Sequence, residues 1–203
     1  MLYLASNSPQ RSDILKNLAV EFSVLHSSFD EKPLHLLGLP PVKLSKKIAT
    51  EKLEHAIKEN VELLTADDTI FVADTMIFLN NKIIYGKPES KEEARIMLQS
   101  YSGKVHYALT TIAACNYAKP NKQFTLSNST KVWFSKLSET ELEFLLSLNE
   151  WENAAGAYRI QGRSSIFIER IDGSYTGVLG FTVNDFYNLA KKLKISEQLF
   201  NIK

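Results

Sequence analysis

Asp74 stands inside an otherwise apolar, β-branched run, Thr69 to Leu79. A carboxylate there must find a cation or hydrogen-bond donors to offset its lost hydration. Such a group can take a proton from water or hold a metal ion, and either would make water a nucleophile at neutral pH. Glu31, Lys52 and Lys87 add charges elsewhere along the chain. Near its start, Leu4-Ala5-Ser6-Asn7-Ser8-Pro9-Gln10-Arg11 joins an apolar strand to a helix and gathers hydroxyls and a guanidinium at the helix mouth. The first N–H groups of a helix lack partners and carry partial positive charge, so this octet can hold a phosphate. Ser8 suits the capping position, and Pro9 suits the first helical one because it has no N–H to leave unpaired. Plainer readings stand beside each of these. Asp74 could cap a neighbouring loop, Lys52 could be a solvated helix charge, Glu31 could belong to a polar surface loop, and the octet could be an ordinary capped helix.

Composition narrows the field. The 203 residues, 44% hydrophobic and 23% charged, can build one sizeable core or two lobes sharing a sheet. A formal charge of +1 lacks the dominant basic surface that non-specific nucleic-acid binding needs, so any affinity for phosphate must be local. Cys115 is the single cysteine, which excludes an intrachain disulfide and points to a reducing cytoplasm. No leader peptide and no membrane-spanning run is expected.

The periodicity predicts alternating strands and helices without repeats, an α/β fold in one domain over residues 1–203. Strands are expected over Leu2–Ala5 and Glu21–Leu25 around a helix from Ser8 to Leu18, followed by a loop from His26 to Pro41. A helix then runs to Asn60 with Leu44, Ile48, Leu53 and Ile57 inward and Lys46, Lys47 and Lys58 outward. After the strand Thr69–Leu79, Asn80-Asn81 supplies a left-handed turn into Lys82–Tyr85. Ser90 with Glu93, and Ser138 with Glu141, have the spacing of capping boxes that open helices to Tyr101 and Leu148. Lys104–Asn116 and Gln123–Phe134 form a hairpin, Ser165–Ile171 a further strand, and Val183–Leu193 the last helix. The segment Ala155–Gly180 is glycine-rich and polar, suited to backbone approaching a ligand or to a turn-rich connection.

Several chemistries are excluded by spacing. Neither the P-loop pattern nor the G-x-G-x-x-G fingerprint occurs, and there is no G-x-S-x-G nucleophile elbow. His26, His35, His55 and His106 lack metal-ligand spacing, and Cys115 reads as a packing residue. An aspartyl-phosphatase reading, prompted by Asp74-Thr75, meets Met76 where that chemistry commonly wants a second aspartate.

Five motifs in order, LASNSPQR, VADT followed by YGKP, YSGKVH, AGAYRIQG and GSYTGVLGF, resemble the Maf family of nucleoside triphosphate pyrophosphatases from Leu4 to Leu193. The resemblance implies an inosine-triphosphate-pyrophosphatase-like α/β fold, an extended mixed sheet flanked by helices, with two lobes and a central cleft. It implies hydrolysis of a nucleoside triphosphate between the α and β phosphates, giving monophosphate and pyrophosphate, with a divalent cation, Mg or Mn. It further implies a cytoplasmic protein, often a homodimer, while the charge balance and the lack of a long apolar run lead to the expectation of no nucleic-acid or membrane partner. By position, Asp74 matches the catalytic proton acceptor. Ser6, Ser8 and Arg11 match the phosphate-binding loop, and Glu31, Lys52 and Lys87 match cleft residues. Asp74 and Glu31 are the candidate metal ligands, and the residues alone leave open whether Asp74 is base, ligand or both.

Thr75 and Gln161 match the subgroup resembling dTTP and UTP pyrophosphatases, whereas the 7-methyl-GTP subgroup has glutamine and glutamate there. The amide of Gln161 can both donate to and accept from a base edge, which favours a pyrimidine. Gln10 matches neither subgroup, standing where one has arginine and the other tryptophan. Ala154, Gly177 and Thr182 replace the family's usual lysine, asparagine and proline, which leaves broader specificity open, modified pyrimidine nucleotides included. A second reading implied by the resemblance is a nucleotide-binding regulator of septum formation or cell division with little turnover.

Overall fold

The computed structural model describes residues 1–80 and 83–200. Its strands are β1 (Leu2–Ala5), β2 (Ser23–Leu25), β3 (Thr69–Leu79), β4 (Ile83–Tyr85), β5 (Val105–Asn116), β6 (Phe124–Phe134) and β7 (Ile168–Asp172). Its helices are α1 (Pro9–Asn17), α2 (Lys32–His35), α3 (Pro41–Glu59), α4 (Lys91–Tyr101), α5 (Glu139–Ser147), α6 (Tyr175–Val178) and α7 (Val183–Lys192). Among the described residues seven strands make one mixed sheet, ordered β2-β1-β3-β5-β6-β7, with β4 paired to β3 off this path. β1 runs parallel to both β2 and β3, while β3 with β4 and β6 with β7 are antiparallel.

The chain leaves β1 through α1 to β2 on one side and returns through α3 to β3 on the other. This puts a topological switch point at the carboxyl end of β1, where open α/β sheets form ligand crevices. The register pairs Leu4 with Phe71, so β1 ends at Ala5 while β3 continues past Asp74. The loop Ser6–Ser8 therefore leaves β1 at that end.

Two compact units are distinguished: residues Met1–Asp74, Thr110–Ser127 and Gly180–Lys203, and residues Thr75–Leu109 and Asn128–Leu179. In the first, α3 buries Leu44, Ser45, Ile48, Ala49 and Leu53, the stripe that its helical period dictates, and leaves Lys46, Lys47 and Lys58 exposed. Ile57 is half-buried against this core. Phe71 packs edge-on to Phe186, with ring centres 4.9 Å apart. In the second unit an aromatic cluster of Tyr101, His106, Phe134 and Tyr158 forms the core. The His106 Nε2 atom meets the Tyr158 hydroxyl at 2.8 Å, and burial pulls its pKa down to about 3, keeping the ring neutral.

Most elements lie where the periodicity predicts them, and the differences have local causes. The strand expected over Glu21–Leu25 starts at Ser23. The loop His26–Pro41 contains the one-turn helix α2, whose Lys32 N–H is taken by Asp30 Oδ1 at 3.0 Å and whose Pro33 needs no partner. The strand expected from Ser165 begins only at Ile168, because residues 163–167 coil into a 3-10 turn. Both capping serines accept a first-turn N–H. The reciprocal box is complete at Ser138 and Glu141, whereas Glu93 turns to the N–H of Glu89. Asn80 has the left-handed φ of 50° that the turn expectation requires, but Asn81 and Lys82 lie outside the described residues. Cys115 is buried, and burial raises its thiol pKa to about 11, so it packs rather than reacts.

Gly156 joins the motif loops of the second unit. Its N–H donates to Gly86 O at 2.9 Å and its carbonyl accepts the Tyr101 hydroxyl, while its φ of +73° would place an added Cβ 2.5 Å from Ile77 Cγ1. Gly156→Ala is therefore expected to destabilise the protein by about 3 kcal/mol, combining left-handed strain with overpacking. The drop is to be read as a lower thermal midpoint by circular dichroism.

Candidate active site

Asp74 sits at the middle of β3, where every neighbour from Thr69 to Leu79 is buried except the half-buried Thr75. Only 4% of its surface is exposed. An aspartate in such a strand needs donors or positive charge close by, and the first unit supplies one hydroxyl donor and two cationic charges. Ser45, on the buried stripe of α3, donates its hydroxyl to Asp74 Oδ2 at 3.1 Å. Lys52, two turns further along α3 and about 10 Å along its axis, and Arg11, on α1, draw the pKa of the carboxyl down by their charge. Burial outweighs them, and with Glu31 it holds the Asp74 pKa above the ordinary carboxylate value.

The β1–α1 loop is built around Arg11. Its Nε donates to Gly180 O at 2.8 Å and its Nη1 to Ser6 Oγ at 3.1 Å, which also accepts the Ser8 N–H at 3.2 Å. Burial lowers the Arg11 pKa, opposed by the negative charges of Asp74 and Glu31. Ser8 occupies the N-cap with Pro9 behind it, but its hydroxyl turns to Gln10 Oε1 at 3.0 Å rather than to a first-turn N–H. The expectation of a capping Ser8 is thus corrected: the hydroxyl fastens Gln10 to the loop and leaves the helix mouth uncapped by this side chain. Asn7 ties the loop to Ser27 O at 3.2 Å.

Glu31 and Lys52 pair at 3.3 Å, both only partly exposed. Lys52 is thereby drawn out of the solvated-charge reading, with 19% of its side chain exposed. Asp68 serves structure instead, accepting the Thr65 N–H at 2.7 Å and its hydroxyl at 3.0 Å.

Ser6, Ser8, Gln10, Arg11, Glu31, Lys52 and Asp74 all belong to the first unit. Thr75, Lys87 and Gln161 belong to the second. Lys87 is exposed beside Gly86, the partner of Gly156, and Gln161 is exposed on the turn closed by the Gly162 N–H to Arg159 O bond of 2.9 Å. The loop before Gln161 is braced by Arg159, whose Nε and Nη2 donate to the carbonyls of Glu150 and Glu152 at 3.0 and 2.9 Å. Of the departures from the family pattern, Ala154 precedes the 3-10 turn Ala155–Ala157, Gly177 is buried in α6 and Thr182 occupies the N-cap of α7. Ser45 escaped the sequence reading; its signal was a polar residue at a position that the helical stripe turns inward.

Among the described residues no group of three or more His, Cys, Asp or Glu side chains could hold a metal. The charge of Glu31 acts on Asp74, and two such carboxylates would suit a magnesium-type ion completed by substrate phosphates and water rather than an all-protein cage.

A family model described as "Maf-like protein" matches residues 1–193. The chain is 41% identical over 199 residues to a dTTP/UTP pyrophosphatase of Treponema denticola, covering 94% of this chain and 96% of that protein. It is 37% identical over 202 residues to a protein of the same name from Nitrosospira multiformis, covering 96% and 95%. A third, from Aquifex aeolicus, is 35% identical over 198 residues, covering 98% of each chain.

The raised pKa of Asp74 has a stability consequence. Because folding disfavours the ionised form, stability associated with this group is present below its unfolded pKa and is lost as pH rises through the folded one. Asp74→Asn is expected to raise the thermal midpoint at pH 7, with the gain shrinking as the pH is lowered through the carboxyl's titration. Calorimetry at a series of pH values, without added divalent ions, checks the sign.

Proposed function

As the chain belongs to the Maf-like family, we propose that it hydrolyses nucleoside triphosphates between the α and β phosphates, releasing a monophosphate and pyrophosphate, with a preference for pyrimidines such as dTTP and UTP. It is a hydrolase of phosphoanhydrides. The observation that carries this reading is a buried strand carboxylate, Asp74, with the charges of Lys52 and Arg11 acting on it at the carboxyl end of β1.

In the proposed mechanism Asp74 takes a proton from a water molecule whose oxygen bonds to phosphorus as the bridging phosphoanhydride bond breaks. Lys52 and Arg11 neutralise the charge that builds on the phosphate oxygens, and Ser6 and Ser8 position the phosphate at the helix mouth. Glu31 holds the Lys52 ammonium ready in the free protein. Asp74 and Glu31 would hold Mg or Mn, which would supply charge neutralisation and a more acidic water. Lys87 from the YGKP motif is assigned to substrate binding, and Gln10, Thr75 and Gln161 to base choice. A cytoplasmic homodimer accompanies this reading on the strength of the family resemblance; no described helix is long and apolar enough to cross a membrane.

Two alternatives are weaker. A regulator with little turnover would not need a costly buried acid, and the curated relatives carry an enzyme's name. An aspartyl phosphatase would need a second acid two residues on, where Met76 is buried among apolar neighbours.

Incubating the protein with ordinary and modified triphosphates and Mg or Mn should yield equimolar monophosphate and pyrophosphate, fastest with dTTP or UTP. Inorganic phosphate as the only product refutes the assignment. Asp74→Asn should lower kcat by about a thousandfold while nucleotide affinity stays within about tenfold. Lys52→Ala should cut kcat/KM by about a hundredfold, measured by pyrophosphate release.

A further inference from the structure

Asp74 is the end of a chain of hydroxyls that the proposed reaction has not yet used. Ser45 Oγ lies 3.1 Å from Asp74 Oδ2 and 2.8 Å from Thr111 Oγ1, and Thr111 Oγ1 lies 2.8 Å from Ser127 Oγ. Ser45 and Thr111 are fully buried and Ser127 is half-buried. The contacts tie α3, β5 and β6 to the acid on β3 within the first unit.

Each hydroxyl owns one hydrogen and an ionised carboxylate owns none. By geometry Ser45 is the donor in both of its contacts, to Asp74 Oδ2 and to Thr111 Oγ1, and its one hydrogen goes to the carboxylate when that is ionised; between Thr111 and Ser127 either hydroxyl can donate. The charge on Asp74 decides where the Ser45 hydrogen points, and the contacts with Thr111 and Ser127 fix where the Ser45 oxygen sits. Packing alone does not call for these hydroxyls. Ser45 interrupts an α3 stripe otherwise made of Leu44, Ile48 and Leu53, and Thr111 is followed on β5 by buried Ile112 and Ala113, so apolar side chains would serve the core at both places. A buried hydroxyl is tolerated where it has a partner, and here the partner is the acid.

We propose that Ser45 and Thr111 are positioning residues for the hydrolysis: anchored through Ser127, they hold Oδ2 of Asp74 and so assign Oδ1 to the attacking water. The proposal rests on the reading that Asp74 accepts the proton from that water. With Ser45 donating to one oxygen, the carboxylate plane is set by α3 and cannot turn freely about its terminal torsion, which by itself is broad and two-fold. The hydroxyl therefore matters to the bond-making step and not to the capture of the triphosphate.

The test compares Ser45→Ala, Asp74→Asn and the double variant in steady-state pyrophosphate release from dTTP and UTP. Ser45→Ala should lower kcat about tenfold, as loss of a supporting hydrogen bond commonly does, with KM within about twofold and an unchanged circular dichroism spectrum. Alanine favours the helix, so α3 keeps its form. In the Asp74→Asn background the same substitution should have no further effect. Thr111→Val, of matching shape, should lower kcat by a smaller factor through the same route and supplies a second variant should the first not fold. A Ser45→Ala kcat equal to that of the parent, with Asp74→Asn inactive, overturns the positioning role alone. An additive loss in the double variant, or a loss carried by KM, makes Ser45 merely structural and likewise overturns it. An Asp74→Asn variant as active as the parent overturns the assignment of Asp74 itself, a result separate from the other outcomes.

Discussion

A carboxylate in the interior of a strand is a standing energetic problem, and the first unit is arranged around its solution. Removing an ion from water costs several kcal/mol even after relaxation. Asp74 recovers part of this from the Ser45 hydroxyl and part from the charges of Lys52 and Arg11, yet its pKa stays raised. The compensation is incomplete, so the acid is held at the expense of stability. That is the condition expected of a group kept for chemistry rather than for packing. Asp68 shows the contrast: bonded to Thr65 and to the Met1 amino group at 2.9 Å, its pKa is lowered, and it behaves as a structural carboxylate.

The proposed function also requires affinity for a polyanion in a chain of net charge +1, which would have to come from placement rather than from amount. The carboxyl end of β1 is the point where the sheet's order reverses, so the loop there is not covered by a successive parallel crossover on both sides. Into that place the chain puts the mouth of α1 and an arginine locked by Gly180 and Ser6. A guanidinium fixed by two acceptors loses little freedom when a phosphate arrives, which favours binding. Lys52 is held by Glu31 in a pair that is only partly exposed, and in the proposed function a phosphate would compete with that carboxylate for it.

Much of this could be read before any coordinates. The apolar run Thr69–Leu79 predicted β3 to the residue, and the capping serines at 90 and 138 predicted where α4 and α5 begin, because these signals are local. The misreadings were also local. Ser8 stands at the N-cap position that its type predicts, but a glutamine two residues on takes the hydroxyl that would make the cap bond. The polar stretch after β2 conceals a single helical turn, which has no hydrophobic period to betray it. Ser45 and Thr111 went unnoticed because a serine in a helix and a threonine in a strand are unremarkable until a buried acid is found against them.

What the residues determined on their own is the inventory: the elements, the presence of one acid where acids are costly, and motifs whose order identifies the family, since periodicity and motif spacing are written along one dimension. The tertiary structure decided which groups meet. Arg11 and Gly180 stand 169 positions apart and Ser45 and Thr111 66 apart, and it is the fold, with β1 and β5 on the two sides of β3, that brings such distant residues together. It also decided the electrostatic character of the acid. A pKa is set by burial and by the charges around it, and neither is a property of a residue's neighbours in sequence.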